Sequence, residues 1–157
     1  MPSRRELIAL TDAERREYLN QQKTLVIVSN GANGYPHPMP MWFCVDDNDC
    51  FYCTTFEKSQ KVLNLKRDPR ATLLVESGED YAELKSVLAY ADAEVIADQE
   101  VVLDTLVAIN SKGSALDDSQ LGKIREAMIA SAKKRVVLKF VPNSFVTWDH
   151  SKLAGKY

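Results

Sequence analysis

The sequence predicts a mainly β domain of the α+β class, in which an antiparallel barrel, closed or nearly closed, carries flanking helices. Three observations predict this fold: about seven short strand-like runs, hairpin-type connections between them, and few helical stretches. The 157 residues suffice for one domain with a real core, and no repeat, low-complexity tract or linker divides them. We therefore expect a single domain over residues 1–157.

The first half of the chain begins with a helix and continues with hairpins. Thr11 and Glu14 have the spacing of a capping box, which starts a helix. The next run is β-branched and apolar, as in a buried strand, and Asn and Gly at residues 30–34 tolerate the positive φ of a tight turn. Asp and Asn at residues 46–49 turn the chain again. These signals predict a helix over residues 12–22 and strands over 24–29, 35–45 and 50–55.

The second half mixes strands with three helices. Val62 and Leu65 lie three residues apart, as on one face of a helix, which Asp68-Pro69 ends. Alternating Val and Ala residues between positions 87 and 93 predict the buried face of a long strand. Pro142 and Asn143 predict a turn. These signals predict helices over residues 59–67, 98–110 and 117–132, and strands over 71–76, 85–96, 135–141 and 144–148.

Charge and hydropathy exclude several classes of partner. Lys and Arg number 20 and Asp and Glu 22, so the formal net charge is −2. This balance lacks the concentrated basic surface of nucleic-acid-binding proteins. Residues 1–10 lack the apolar region of a signal peptide, and no run approaches the ~18 apolar residues of a membrane span. We expect a cytoplasmic protein with neither a nucleic-acid nor a membrane partner.

Cysteine and histidine do not predict a metal or redox centre. The three cysteines are an odd number, and Cys50 and Cys53 form a CxxC spacing within a predicted strand. Residues three apart on a strand point to opposite faces, so these thiols are expected to be ordinary buried groups. His37 and His150 are the only histidines, and no metal site is expected.

Three prolines stand at alternate positions of the second predicted strand. Pro36, Pro38 and Pro40 would have their missing N–H groups on one edge, which then cannot pair continuously with a neighbour. Their carbonyls would remain available to the N–H of a ligand such as a flavin ring. The alternative is a plain sheet edge that prolines protect against aggregation.

A phosphate-sized site is predicted where a strand meets a helix, over residues 54–61. Hydroxyl groups of Thr54, Thr55 and Ser59 meet helix N-terminal amides there, and the helix dipole favours an anion. The ammonium of Lys61, in the first helical turn, can fold back toward that anion. The alternative is a capped surface helix without a ligand.

Taken in order, these segments resemble a known family. The most specific block is Ser59-Gln60-Lys61-Val62-Leu63-Asn64-Leu65 with the following Arg67-Asp68-Pro69-Arg70, and the rest comprises Asn33-Gly34-Tyr35-Pro36, Pro40-Met41-Trp42-Phe43, residues 134–138 and Trp148 to Leu153. From about residue 25 to residue 153, order and spacing resemble the pyridoxamine 5'-phosphate oxidase-related flavin-binding proteins, closest to the branch with deazaflavin-dependent reductases. The resemblance implies a split β-barrel, Greek-key-like and homodimeric, with cofactor sites between the subunits.

The resemblance also implies residue roles. Lys61, Ser59 and the Gln60 backbone would hold the cofactor phosphate, with Arg135 as a second cation or as a surface ion pair. Trp148 and the tail after it would close over the ring from the partner chain, unless the tryptophans are core or interface residues. The full set of implied cofactor-binding residues is Pro40, Met41, Trp42, Thr54, Thr55, Ser59, Gln60, Lys61, Asn64 and Trp148.

Three functions are compatible with the resemblance. The leading one is an FMN-dependent oxidoreductase that transfers hydride to or from a small planar substrate, with Tyr35, His37 or solvent as a proton source. The others are a deazaflavin-dependent reductase, with Lys58 or Lys152 near an acidic cofactor tail, and a non-catalytic flavin- or haem-binding stress or carrier protein. No arginine follows Arg135, whereas the oxidase proper carries one near its C-terminus, so vitamin B6 oxidation is not expected.

Overall fold

A computed structural model describes residues 3–153 of the chain, which form one antiparallel sheet flanked by helices. The strands are β1 (Thr24–Asn30), β2 (Pro36–Trp42), β3 (Cys44–Val45), β4 (Phe51–Phe56), β5 (Arg70–Ser77), β6 (Lys85–Ile96) and β7 (Arg135–Asp149). The helices are α1 (Arg4–Leu7), α2 (Asp12–Gln21), α3 (Gln60–Arg67), α4 (Gln99–Ser111) and α5 (Asp118–Ala132). The predicted mainly β fold is confirmed.

The sheet curls into a barrel that stays open along one side. Its strand order is β2-β1-β5-β6-β7-β4-β3, so β2 and β3 lie at opposite edges. Only Phe43 separates these two strands in sequence, and the two edges must therefore meet at this residue. Away from Phe43, β2 lies against β4 without pairing to it. The gap between the β2 edge and the β4 edge is called the slot below, and it makes this a split barrel.

Helices close the two ends of the barrel. At one end, Tyr18 and Leu19 of α2 are buried in the core, and the capping box of Thr11 and Glu14 starts this helix as predicted. At the other end, Val62 and Leu65 of α3 enter the same core. No helix within residues 3–153 combines the length and apolar character needed to cross a bilayer.

Two sequence predictions about strands are wrong in detail. The predicted turn at Pro142-Asn143 is a bulge inside one strand, β7, because β6 runs past it and pairs with both halves. The register moves from Tyr90–Ser144 to Ala91–Pro142, which leaves Asn143 as the extra residue. The strand predicted over residues 35–45 is interrupted at Phe43, where the chain passes from one edge of the sheet to the other.

In the part of the chain that the structure describes, helices cover the outer surface of the sheet on one side only. Helix α4 packs over β4 and β7, where Val102 and Leu106 bury Val137, and α5 packs on α4. Across the other strands, an apolar row stays partly or fully exposed. The row consists of Pro40, Val26, Leu74, Leu88 and Val146, which are direct cross-strand neighbours. We call this row and the sheet surface around it the open face.

Candidate functional site

Helix α3 begins with unpaired backbone donors. Ser59 is its N-cap, but the Ser59 side chain makes no capping hydrogen bond. The N–H groups of Gln60 and Lys61 have no acceptor within residues 3–153, whereas Val62 donates to the Ser59 carbonyl at 3.0 Å. Free N–H groups and the positive end of the helix dipole therefore point out of this first turn. Such a helix start favours an anion.

Lys61 is a buried cation that has no counter-ion among residues 3–153. The residue is 7% exposed, and its ammonium makes no hydrogen bond or ion pair within the described part of the chain. Burial lowers the pKa of Lys61, and the nearby positive charge of Arg135 acts in the same direction. A buried charge normally has a partner, since desolvation is costly. The described residues around Lys61 thus supply no anion to balance its charge.

Arg135 is a second cation beside Lys61 that no described carboxylate neutralises. Its guanidinium carbon lies 4.6 Å from the centre of the Phe56 ring, and its Nε is buried without a hydrogen-bond partner in residues 3–153. It forms no salt bridge with a described carboxylate. Glu57, the acidic residue of the junction, is exposed and forms no such bridge either. The predicted site therefore carries two positive charges that the described protein leaves unbalanced.

The hydroxyl groups of the junction divide between two faces. Thr54 and Thr55 are both buried, and as strand neighbours they point to opposite sides of β4. The Thr55 Oγ1 lies 3.4 Å from the Ser59 Oγ, so this pair joins the anion site. The Glu57 N–H donates to the Lys134 carbonyl (3.2 Å), so the backbone groups of odd-numbered β4 residues face β7 and those of even-numbered residues face the other edge. By that alternation the backbone of Thr54, not its side chain, faces the slot.

Asn64 anchors the helix and supports Gln60. Its side chain is fully buried, donates to the Ser29 Oγ at 3.1 Å and accepts from the Gln60 Nε2 at 2.9 Å. Gln60 lines a pocket of about 350 Å³ between α3 and the β1–β2 turn. His37 lines the same pocket, with a buried Nδ1 that has no hydrogen-bond partner among the described residues.

Strand β2 forms the edge of the slot, as the prolines predict. In the β1–β2 ladder, the Gly31 N–H donates to the Tyr35 carbonyl (3.0 Å) and the Phe43 N–H donates to the Lys23 carbonyl (3.3 Å). Since hydrogen-bonded and non-bonded pairs alternate, the odd-numbered residues of β2 face β1 and the even-numbered ones face outward. The backbone groups of all three prolines therefore lie on the slot edge.

The other predicted residues of β2 divide between the two faces. Met41 packs against the core, while Pro40 and Trp42 are on the outer surface, with Trp42 58% exposed. The strand runs from the pocket beside Gln60, which Pro36 lines, to the far end of the barrel, where Trp42 lies beside Lys112. A ligand that follows the slot would thus extend from the anion site toward Trp42.

Trp148 is not brought to the anion site within one chain. It pairs with Ser86 on the outer surface of β7, whereas Arg135, at the start of the same strand, pairs with Phe56. Trp148 and Trp42 lie at strands β7 and β2, four strand spacings or about 19 Å apart along the sheet. The part of the predicted closing tail over residues 154–157 lies outside the described residues.

One contact near the slot had no sequence signal. The Lys112 ammonium donates to the carbonyls of Gln22 (2.6 Å), Leu19 (2.9 Å) and Phe43 (3.2 Å), and it lies 3.6 Å from the Phe43 ring centre. These hydrogen bonds of Lys112 therefore stabilise the region around Phe43, where the two sheet edges meet. A lysine in a loop gives no pattern from which this contact follows.

Comparisons with known proteins agree with this architecture. The family model described as pyridoxamine 5'-phosphate oxidase matches residues 11–148. A conserved hypothetical protein of Mycobacterium tuberculosis, Rv2991, is 29% identical, with a TM-score of 0.84 over 99% of this chain and 95% of that one. None of the proteins with curated descriptions matches the chain significantly.

Two more distant structures share the fold alone. An F420 reductase is 18% identical, with a TM-score of 0.62 over 92% of this chain and 98% of the other. HutZ, a heme storage protein of Vibrio cholerae, is 16% identical, with a TM-score of 0.63 over 87% and 94% of the two chains.

Proposed function

We propose that this chain, which belongs to the pyridoxamine 5'-phosphate oxidase family, is a homodimeric FMN-dependent oxidoreductase acting on a small planar substrate. The observation that carries the proposal is a pair of neighbouring cations, Lys61 in the first turn of α3 and Arg135 at the start of β7, which no carboxylate of residues 3–153 neutralises. Bound FMN would supply hydride chemistry, and the protein would supply position and electrostatic environment. Because FMN would carry out the hydride chemistry, the protein needs neither a nucleophile nor a pair of acid and base residues.

Charge matching favours a phosphate monoester at this site. Such a group carries about −1.5 to −2 at neutral pH, which Lys61 and Arg135 together balance. The N–H groups of Gln60 and Lys61 and the hydroxyls of Thr55 and Ser59 add uncharged donors around the same point. The phosphodiester of a deazaflavin coenzyme carries only one negative charge. FMN therefore suits the built site best.

The slot would hold the ring system. From the anion site, β2 leads along Pro36, Pro38 and Pro40 toward Trp42, and Thr54 offers backbone groups from the opposite edge. Asn64 would act indirectly, because its amide is already bonded to Ser29 and Gln60. The family resemblance implies that Pro40, Met41 and Trp42 run along the ring; Pro40 and Trp42 have their backbone groups on the slot edge, whereas the Met41 backbone faces β1 and its side chain packs against the core.

A second copy of the chain is expected to cover the open face. An apolar row across five strands is larger than the scattered apolar side chains of an ordinary surface. A two-fold axis would bring the same row of both copies together. Trp42 and Trp148 border this face on opposite sides, so a partner could place its Trp148 near a slot that the first chain leaves incomplete.

A deazaflavin coenzyme remains the second candidate, because one observation favours it. Lys58, Lys133 and Lys134 are exposed beside the anion site, where the Glu57 N–H bonds to the Lys134 carbonyl. They would suit an acidic tail beyond the phosphate. Lys152 does not serve this purpose, since its ammonium bonds to Glu14 and the Ala9 carbonyl.

The test compares FMN with riboflavin, which has the same ring and no phosphate. The purified protein is titrated with each compound, desalted, and examined by visible absorbance and sedimentation. We expect a dimer of the 17.6 kDa chain that retains FMN and binds riboflavin more than about tenfold less tightly, the equivalent of one charged hydrogen bond. Equal affinities would contradict the anion site, and retention of deazaflavin or haem instead of FMN would contradict the FMN proposal.

A further inference from the structure

The proline edge of the slot presents acceptors without donors. The backbone of Pro36, Pro38 and Pro40 points away from β1, and proline has no N–H. None of these three carbonyls accepts a hydrogen bond within residues 3–153. Successive outward carbonyls are two residues or about 6.6 Å apart along the strand. Over this stretch, the edge is a row of acceptors only.

An acceptor row distinguishes ligands by where they carry hydrogen. A carbonyl gains free energy from an N–H that points at it, and an acceptor held against it leaves both groups unsatisfied. An oxidised flavin ring has acceptors at its N1, N5 and both carbonyl oxygens, and a single donor at N3. Two-electron reduction adds hydrogen at N5, and the neutral reduced ring also carries hydrogen at N1. The same ring thus gains donors when it is reduced.

We propose that the proline edge makes the slot bind the reduced form of an isoalloxazine ring more tightly than the oxidised form. The inference rests on the proposed function, since it takes the ring to lie along β2 from the anion site. Its consequence is thermodynamic: tighter binding of the reduced form raises the midpoint potential of the bound cofactor. The higher midpoint potential would make hydride transfer to the bound oxidised ring more favourable than transfer to free FMN.

The perturbation adds one donor to the edge. Pro38→Ala restores an N–H at the centre of the acceptor row, and the side chain at this position lies on the outer surface. Pro142→Ala is the matched control, because it makes the same substitution at the β7 bulge, away from the slot edge. Pro40→Ala provides a second variant at the edge if Pro38→Ala folds poorly.

The measurement is the two-electron midpoint potential of FMN bound to each variant, determined anaerobically against a reference dye. For the wild-type chain we expect a potential at least ~30 mV above that of free FMN, which corresponds to tenfold tighter binding of the reduced form. Pro38→Ala should lower the potential toward that of free FMN, and Pro142→Ala should leave it unchanged.

Two failures are distinguishable. Retained FMN with a potential at or below that of free FMN, or a Pro38→Ala potential equal to the wild-type value, would overturn the inference about the edge while leaving the flavin function in place. A protein that retains no FMN at all would overturn the proposed function and this inference with it.

Discussion

Replacing Lys61 by Met should change two properties in opposite directions. Methionine keeps most of the length of the lysine side chain but removes its charge, and Lys61 is 7% exposed with no acidic partner within the described residues. Without cofactor, the variant should be more stable, since a desolvated charge is removed. A gain of about 1 kcal/mol would raise Tm by about 2–4 °C in a protein of this size.

Cofactor affinity should fall in the same variant. A hydrogen bond to a charged group contributes about 1.5–3 kcal/mol, which corresponds to a roughly 10- to 150-fold weaker FMN affinity. Thermal unfolding of the cofactor-free protein and FMN titration measure the two effects. Lys66→Met is the control, because Lys66 is exposed in the last turn of the same helix. A variant that binds FMN like wild type would refute the assignment of Lys61 to the phosphate, and one that is less stable without cofactor would refute the conclusion that the buried charge of Lys61 lacks a partner.

Two other predictions concern the dimer and pH. Leu74→Arg places a charge in the middle of the open face, so this variant should sediment as a monomer and retain less FMN by absorbance. Ser131→Arg, at an exposed position of α5, is the control and should stay dimeric. A dimeric Leu74→Arg variant would exclude the open face as the interface. Burial lowers the pKa of Lys112 from 10.5 to about 8. Between these values the unfolded chain binds more protons than the folded one, so wild-type stability should rise with pH relative to Lys112→Met. Parallel Tm curves for the two proteins across this range would contradict the prediction.

The periodic features of the chain were predictable because they follow from local rules. The capping box of Thr11 and Glu14 and the long strand at residues 85–96 depend on neighbours in sequence, and both are confirmed. It was also predictable that the three prolines of β2 leave one strand edge without N–H donors. Residue type fixes which N–H groups are missing, and strand alternation fixes the edge on which they lie.

Features that depend on distant partners were not predictable in the same way. Pro142-Asn143 has the composition of a turn, but a continuous β6 across from it converts it to a bulge. The family resemblance implies that Trp148 reaches the ring from the partner chain, and within one chain the structure places Trp148 at the opposite end of β7 from Arg135. That no described carboxylate balances Lys61 and Arg135 depends on which groups the fold buries beside them, and the spacing of residues in the sequence does not predict this.

Only one residue separates β2 from β3, yet the two strands lie at opposite edges of the sheet, and this arrangement affects the order of folding. β3 can join the sheet only through β4, and β4 is held by β7, whose pairing joins residue 51 to residue 140. During synthesis the β1–β2 hairpin therefore emerges long before the strand that completes the barrel. Non-local pairing of this kind is slow and leaves strand edges open to other chains. The proline-bearing edge, which cannot pair continuously with another strand, would protect the nascent hairpin during this interval.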